Sequence, residues 1–462
     1  MRLSALFVSE LEKSLGIEVY ATLSRGVGGV IRRSCEDFVV EEILVDGSKA
    51  EIAPSTKRQV LGSSSLRSRY LLCVLVKRNW DTFSAVKAVA DQLNMNPSCI
   101  QIAGIKDAKA VTAQHVTIEN VSVEDVGKVE VKDVEVRPVG YVRSGLSSFY
   151  LLGNSFRITV KGIKRSESAI RMQVARIIKE LETLGGVPNF FGHQRFGTAR
   201  PVTHLVGEAI VRGDFREAAM LFLAKSSQHE HPSSRQVREE LQKTKDFKRG
   251  LQVFPRQLRY ERLMLEHLAE EPDDFVGAFR RLPLKLRELF PQACQSYLFN
   301  RFLSGRIASG LPLDKADWGD YVVGVERSGL PASVMRRMAS AETLAEINEA
   351  VKVGRTCIAL PLVGFRQRLS EGCQGKIEKR VLQEEQIDPA NFHFDAMPEI
   401  SLRGGLRTAV TPLNDFSFEV SVDSENPSSH MLRVGFTLHR SSYATVVLRE
   451  LMKPRDLLKA GF

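Results

Sequence analysis

Strand-length apolar runs crowd both ends of this 462-residue chain and thin out in its middle. Near the start stand "LLCVLVKR" from Leu71, "CIQIAGIKD" from Cys99, "AVTAQHVTI" from Ala110 and "NSFRITV" from Asn154. After Met397 come "DFSFEVSV", "HMLRVGFTL" and "YATVVLREL", all read as strands by their alternation. From about Thr203 to Met397 the apolar residues recur at helical spacing between charged loops. A sheet can be assembled from distant segments, whereas a helical stretch of this size needs its own core. The length also exceeds what one ordinary core serves. The pattern therefore predicts an α+β protein: one sheet domain interrupted by an insertion.

Within the first third, "GVIRRSCEDFVVEEIL", residues 29–44, reads as a strand with a turn-like centre followed by a second short strand. "GSSSLRSRY" is a polar, basic loop, and "LLCVLVKR" is a strand buried on both faces. Next, Asp81 or Thr82 is a good N-cap, because either side-chain oxygen can satisfy a free amide of the first helical turn. Phe83, Val86, Val89, Ala90 and Leu93 then fall on one helical face. Asp107 follows the next strand. The carboxyl end of a strand is where open α/β sheets commonly place ligand-binding groups, while a solvated hairpin tip is the plainer reading of Lys106-Asp107. Farther on, "SAIRMQVARIIKELETL" is an amphipathic helix stopped by Gly185-Gly186. "GVPNFFGHQRFGTARPV" is a structured loop, since two adjacent phenylalanines are costly to leave solvated. "QACQSYLFNRFLSGRI" is a strongly amphipathic helix.

Composition narrows the class. Hydrophobic residues are 43% and charged residues 26%, a globular profile, and Lys+Arg 65 against Asp+Glu 55 leaves +10, which suits a polyanionic partner such as RNA. Six cysteines at 35, 73, 99, 294, 357 and 373 show no CxxC pair, so zinc ribbons and thioredoxin-type motifs are excluded and reduced thiols are expected. Glu10 and Glu12 interrupt any signal-peptide core, and no apolar run approaches the ~20 residues of a membrane helix. A cytoplasmic location without membrane association is expected. P-loop, HExxH and GxSxG motifs are absent, and "RGVGGV" lacks the order of a dinucleotide loop. His229 and His231 form a solvated HxH, and Cys357 and Cys373 have no ligand-spaced partners, so neither metal nor organic cofactor is expected.

Several of these segments together resemble the TruD family of tRNA pseudouridine synthases. "GGVIRRSCEDFVVEEI" is similar to the family's N-terminal "peDFvVeE" signature. "AGIKDAKAVTAQ" resembles the segment that holds its catalytic aspartate, and "GNSF" at 153–156 its "GNxF" motif. "GVPNFFGHQRFG" at 186–197 follows "GvPNyfGxQRFG" almost letter for letter. "QSYLFNRFLSGRI" resembles an insertion-domain helix, and "SSYATVVLRELMK" the C-terminal motif. The length suits the longer archaeal and eukaryote-like branch. The resemblance implies a mixed-sheet pseudouridine-synthase domain, residues 1–200 and 400–462, interrupted by a mostly helical α/β insertion, residues 201–399. It implies isomerisation of uridine to pseudouridine in tRNA, uridine 13 above all, with other RNAs as further substrates in some relatives. No obligate protein partner is evident, and a monomer is expected.

By the same resemblance Asp107 is the catalytic carboxylate, acting as a nucleophile at ribose or uracil or as a base; the residues do not choose among these. Burial penalises its ionised form, so a cation must stand nearby. Arg32 matches the position where the family usually carries a lysine, and a guanidinium fork differs in shape from a point ammonium. Lys106 is the alternative partner, but adjacent side chains on a strand point to opposite faces. Phe38, Phe156 and Tyr443 match aromatic positions of the uridine pocket, where stacking returns about 1–3 kcal/mol per extruded base. Asn154 matches an amide that bonds the uracil edge or holds the aspartate loop. Ser441 replaces a family glycine, which strains the loop if that position needs positive φ. Asn189, Gln194 and Arg195 are expected to order the pocket wall or touch RNA. Arg235, Lys243, Lys245 and Arg249 are candidate phosphate contacts, with a solvated charged loop as the plainer reading.

Overall fold

The computed structural model describes residues 7–53 and 60–462. The chain divides into two compact units. One comprises Thr22–Val187, Arg327–Leu330 and Thr411–Phe462; the other holds the N-terminal segment up to Ala21, Pro188–Glu326 and Pro331–Val410. The divisions thus fall at 187/188 and 410/411, and the N-terminal segment groups with the middle of the chain. Its backbone explains this: Asn300 Nδ2 donates to the Leu15 carbonyl at 2.9 Å and Ser304 Oγ to that of Gly16 at 2.7 Å.

The discontinuous unit is built on a sheet of eight strands. These are β1 (Phe38–Leu44), β2 (Tyr70–Arg78), β3 (Ile100–Ile102), β4 (Val111–Glu119), β5 (Val134–Val142), β6 (Leu151–Ile163), β7 (Asn414–Asp423) and β8 (Asn426–His439). Their order is β7-β8-β6-β1-β4-β2-β5, with β3 also on β4. β1 and β4 run parallel, Val39 opposite Val111, and the other pairings are antiparallel. The register defines one face. Phe38, Val40 and Glu42 share it with Asn154, Phe156, Phe436, Thr112, Gln114 and Lys77, because directly paired residues point the same way and successive residues alternate.

Helix α1 (Thr82–Gln92) covers part of this face. Asp81 is its N-cap, accepting from the Ser84 amide at 2.9 Å. Val86, Val89 and Ala90 pack on Leu71, Cys73, Leu75, Val116 and Ile118, but Phe83, expected on that face, is 63% exposed. Thr82 takes the inward position of the first turn instead. α2 (Glu167–Thr183) ends as expected, the Gly186 amide donating back to Leu181 O at 2.9 Å.

Two strand expectations are also corrected. The first half of 29–44 is not a strand: it makes a single bridge, Val30 with Lys161, and then turns at Arg32, whose φ is +57°. "YATVVLREL" is not a strand but helix α3 (Ala444–Met452), buried along its whole length. A short apolar run reads alike as a buried strand or a buried helix, and tertiary burial overrode the β-branched valines.

The other unit is helical around the long helix Leu284–Ala308, which is buried on more than the one face that amphipathicity predicted. Its buried Arg306 forms a two-pronged ion pair with Asp320, at 2.8 and 2.7 Å. This unit also holds a four-stranded sheet, Tyr321–Val325, Pro331–Met338, Thr356–Leu362 and Gly405–Thr408, in part hidden from the sequence reading by short, interrupted runs. Among the described residues no helix is long and apolar enough to cross a membrane.

β6 and β8 approach unusually closely at Gly153, opposite His439, where an added Cβ would lie 2.0 Å from the Leu438 carbonyl oxygen. Gly153→Ala should therefore destabilise this unit by about 1–3 kcal/mol, as overpacking does. A lowered urea midpoint with unchanged slope checks it; a midpoint equal to the parent's would show that the strands yield without cost.

Candidate active site

Asp107 lies in the connection between β3 and β4, on the patterned face of the sheet. Few ladder bonds reach this connection, so side chains from surrounding elements hold it. From β2, Lys77 Nζ donates to the Asp107 carbonyl at 2.8 Å and to that of Trp80 at 2.6 Å. From α1, Thr82 Oγ1 accepts from the Lys106 amide at 3.0 Å. From β4, Gln114 Nε2 donates to the Gly104 carbonyl at 3.0 Å. From β1, Glu42 receives the Lys106 ammonium at 2.5 Å and the His115 amide at 3.0 Å. Lys106, Glu42 and His115 are all buried. Burial alone would push the Glu42 carboxyl up; Lys106 and the His115 contact outweigh it and hold that carboxyl below its usual range.

With Lys106 turned inward, Asp107 is left facing the opening. Arg32 NH2 donates to its Oδ1 at 2.8 Å. The Asp107 side chain is 34% exposed and that of Arg32 11%. Burial lowers the Arg32 pKa from its ordinary value, and the charge and hydrogen bond of Asp107 oppose that effect. The guanidinium lies 4.0 Å from the Phe38 ring centroid, a cation–π contact. The left-handed backbone at Arg32 makes this direction possible, at a steric cost for a residue with a Cβ.

An aromatic row continues from there. Phe38 meets Phe156 edge-on at 6.3 Å between centroids, and Phe156 meets Phe436 at 5.4 Å. All three rings are buried. Asn154, two residues before Phe156 and so on the same face, has its Oδ1 buried without a hydrogen-bond partner among the described residues. A buried amide oxygen left unpaired is costly, and a ligand N–H would satisfy it.

The other expected residues lie in other segments of the chain. Tyr443 is the half-buried N-cap of α3, just after Ser441, whose φ is indeed positive at +66°. Asn189, Gln194 and Arg195 belong to the other unit. There Asn189 Nδ2 donates to Thr408 Oγ1 at 2.9 Å, Arg407 NH2 donates to Asn189 Oδ1 at 2.6 Å, and Arg195 NH2 donates to Gln292 Oε1 at 3.1 Å. Gln194 is half-buried in the short helical turn His193–Arg195. Arg235 and Arg249 pair with Glu239 and Glu240 at 3.6 and 3.3 Å, and Lys243 and Lys245 are exposed.

Sequence reasoning missed Glu42, Lys77, Thr82, Gln114 and Phe436. A signal existed for Gln114, which alternates in phase with Val116 and Ile118 on a buried face.

A model of the family described as "tRNA pseudouridine synthase D (TruD)" matches residues 14–451. A Methanosarcina barkeri protein named "Probable tRNA pseudouridine synthase D" is 38% identical over 446 residues, covering 96% of this chain and 98% of the relative. A Thermococcus sibiricus protein of the same name is 34% identical, covering 94% and 97%. The crystal structure of a Methanosarcina mazei protein named "Putative tRNA pseudouridine synthase D (TruD)" superposes with a TM-score of 0.82 at 37% identity, covering 96% of this chain and 98% of that one.

Ser441→Gly should relieve the left-handed strain, offset in part by glycine's greater freedom in the unfolded chain. A net gain of about 0.5–1 kcal/mol is expected, read as a higher urea midpoint. A lower midpoint would mean that the serine's own contacts outweigh the strain.

Proposed function

Since the chain belongs to the TruD family of tRNA pseudouridine synthases, we propose that Asp107 is the nucleophile of a uridine isomerase acting on position 13 of tRNA. The observation that carries this reading is the half-open Asp107 carboxylate, ion-paired to Arg32 above the Phe38 ring. The reaction conserves every atom. The N1–C1′ bond of the target uridine breaks, the uracil turns, C5 bonds to C1′, the C5 proton leaves and N1 takes one up. No redox partner is consumed.

A carboxylate suits this chemistry when it can attack and later depart, which requires that its charge be stabilised but not buried. Arg32 does the first and the partial exposure of Asp107 the second. The everted base would meet the edge of the Phe38–Phe156 row, and Asn154 Oδ1 would accept from the uracil N3–H. Tyr443, in the same unit, is the third aromatic of the proposed uridine pocket. Asn189 and Arg195 serve by ordering their own unit, and the exposed lysines 243 and 245 remain the candidates there for RNA phosphates. The overall positive charge favours that polyanionic substrate, and its binding should weaken with salt.

The test uses unmodified tRNA transcript without added metal and carbodiimide-dependent reverse-transcription stops. The parent should modify a single uridine at position 13, and Asp107→Asn should bind tRNA with similar salt dependence yet form no pseudouridine. Product from that variant removes Asp107 from the nucleophile role, and equal parental affinity for random RNA points to a binding protein. Arg32→Met should slow product formation about 100-fold, the usual scale for a misplaced reacting group, with Arg32→Lys recovering much of it. Single-turnover rates decide this; an unchanged rate in the methionine variant would show that the ion pair is dispensable.

A further inference from the structure

Lys77 is fully buried, directly after the six apolar residues Leu71 to Val76 of its strand. Such a lysine is expensive unless its ammonium is hydrogen-bonded, and here the two acceptors are main-chain carbonyls, Trp80 and Asp107. Neither bond contributes to the sheet ladder. Both tie the start of α1 and the Asp107 connection to β2 through one charge. Lys106, next in the chain, is fixed independently by Thr82 through its amide and by Glu42 through its ammonium. The backbone is thereby pinned on both sides of the Asp107 Cα, and the direction in which the carboxylate leaves the chain is set before any substrate arrives.

Resting on the isomerase reading above, we propose that Lys77 is a positioning residue: its ammonium holds the Asp107 carbonyl so that the carboxylate is aimed at the target nucleotide. It touches neither substrate nor the reacting oxygens. Its ammonium meets the Asp107 main chain, while Arg32 meets the carboxylate itself. The groups that face it electrostatically are Asp107 and Asp81, which favour its charged form, and Lys106, which opposes it. Burial is the largest influence and lowers its pKa to about 8. The ammonium therefore titrates near the upper end of an ordinary assay range. Below that pH the clamp carries its full charge; above it a neutral amine keeps donors but loses the charge-assisted strength of the bond to the carbonyl.

The experiment measures single-turnover pseudouridine formation and tRNA affinity for the full chain from pH 6 to 10, with Lys77→Met and Lys77→Ala beside the parent. The expected result is a parental rate that falls above about pH 8. Lys77→Met should be slowed about 100-fold with tRNA affinity within about twofold, and its rate should lack that alkaline limb. Ethylammonium added to Lys77→Ala should restore rate in proportion to its concentration, which a simple packing defect would not do. Circular dichroism confirms that each variant is folded; if both methionine and alanine variants fail to fold, the parental alkaline limb decides alone. A folded Lys77→Met within threefold of the parent, or a parental rate flat through pH 9, overturns the positioning role and leaves the isomerase intact. A parent that makes no pseudouridine in tRNA overturns the isomerase reading itself.

Discussion

The contact on which the site depends is one ion pair, Arg32 with Asp107. A carboxylate at this depth loses much of its hydration, and the nearby guanidinium offsets that loss. The pair is single-pronged, so the second carboxylate oxygen does not owe its direction to Arg32. That division suits a group which must be both stabilised and reactive. A two-pronged pair such as Arg306 with Asp320 in the other unit serves a different end: it is buried, closed and structural.

Both partners of the Arg32–Asp107 pair sit outside regular structure, and both are held there by strong local constraints. Arg32 occupies left-handed backbone, a conformation that side chains with a Cβ adopt at a cost. Asp107 occupies a connection pinned by β1, β2, β4 and α1 through buried polar groups. Such networks fix one geometry when every member is satisfied. The sheet supplies the platform: β1 runs parallel to β4 through Glu41 and then yields its place to β3, and at that point the Glu42 carboxylate takes the His115 amide. The same carboxylate anchors Lys106, so the departure of β1 from the ladder and the position of the Asp107 connection are linked by one side chain.

The strand pattern and the interruption between the sheet segments were legible because alternation and uninterrupted apolar runs are local properties. Asp81 as a cap and Gly185-Gly186 as a stop were legible for the same reason, since each acts within a few residues of itself. The C-terminal "YATVVLREL" was misread because its burial on all sides erased the periodicity that separates helix from strand. Phe83 was misplaced because helical spacing gives a stripe but not its exact limits, and Thr82 took the inward position. The break of 29–44 at Arg32 was invisible, as arginine carries no general preference for left-handed backbone.

The order of chain segments and the one carboxylate placed beyond a strand were determined by the sequence alone, because patterning and motif spacing survive without coordinates. What the tertiary structure decided was which charges meet. Arg32 and Asp107 are 75 positions apart, and Lys77 lies 30 before the carbonyl it holds. Nothing local distinguishes Lys77 from a solvated lysine at a strand end. It is the antiparallel pairing of β2 with β4, and the passage of the Asp107 connection over that face, that turn it inward. Long-range pairing, not propensity, assigned each of these side chains its partner.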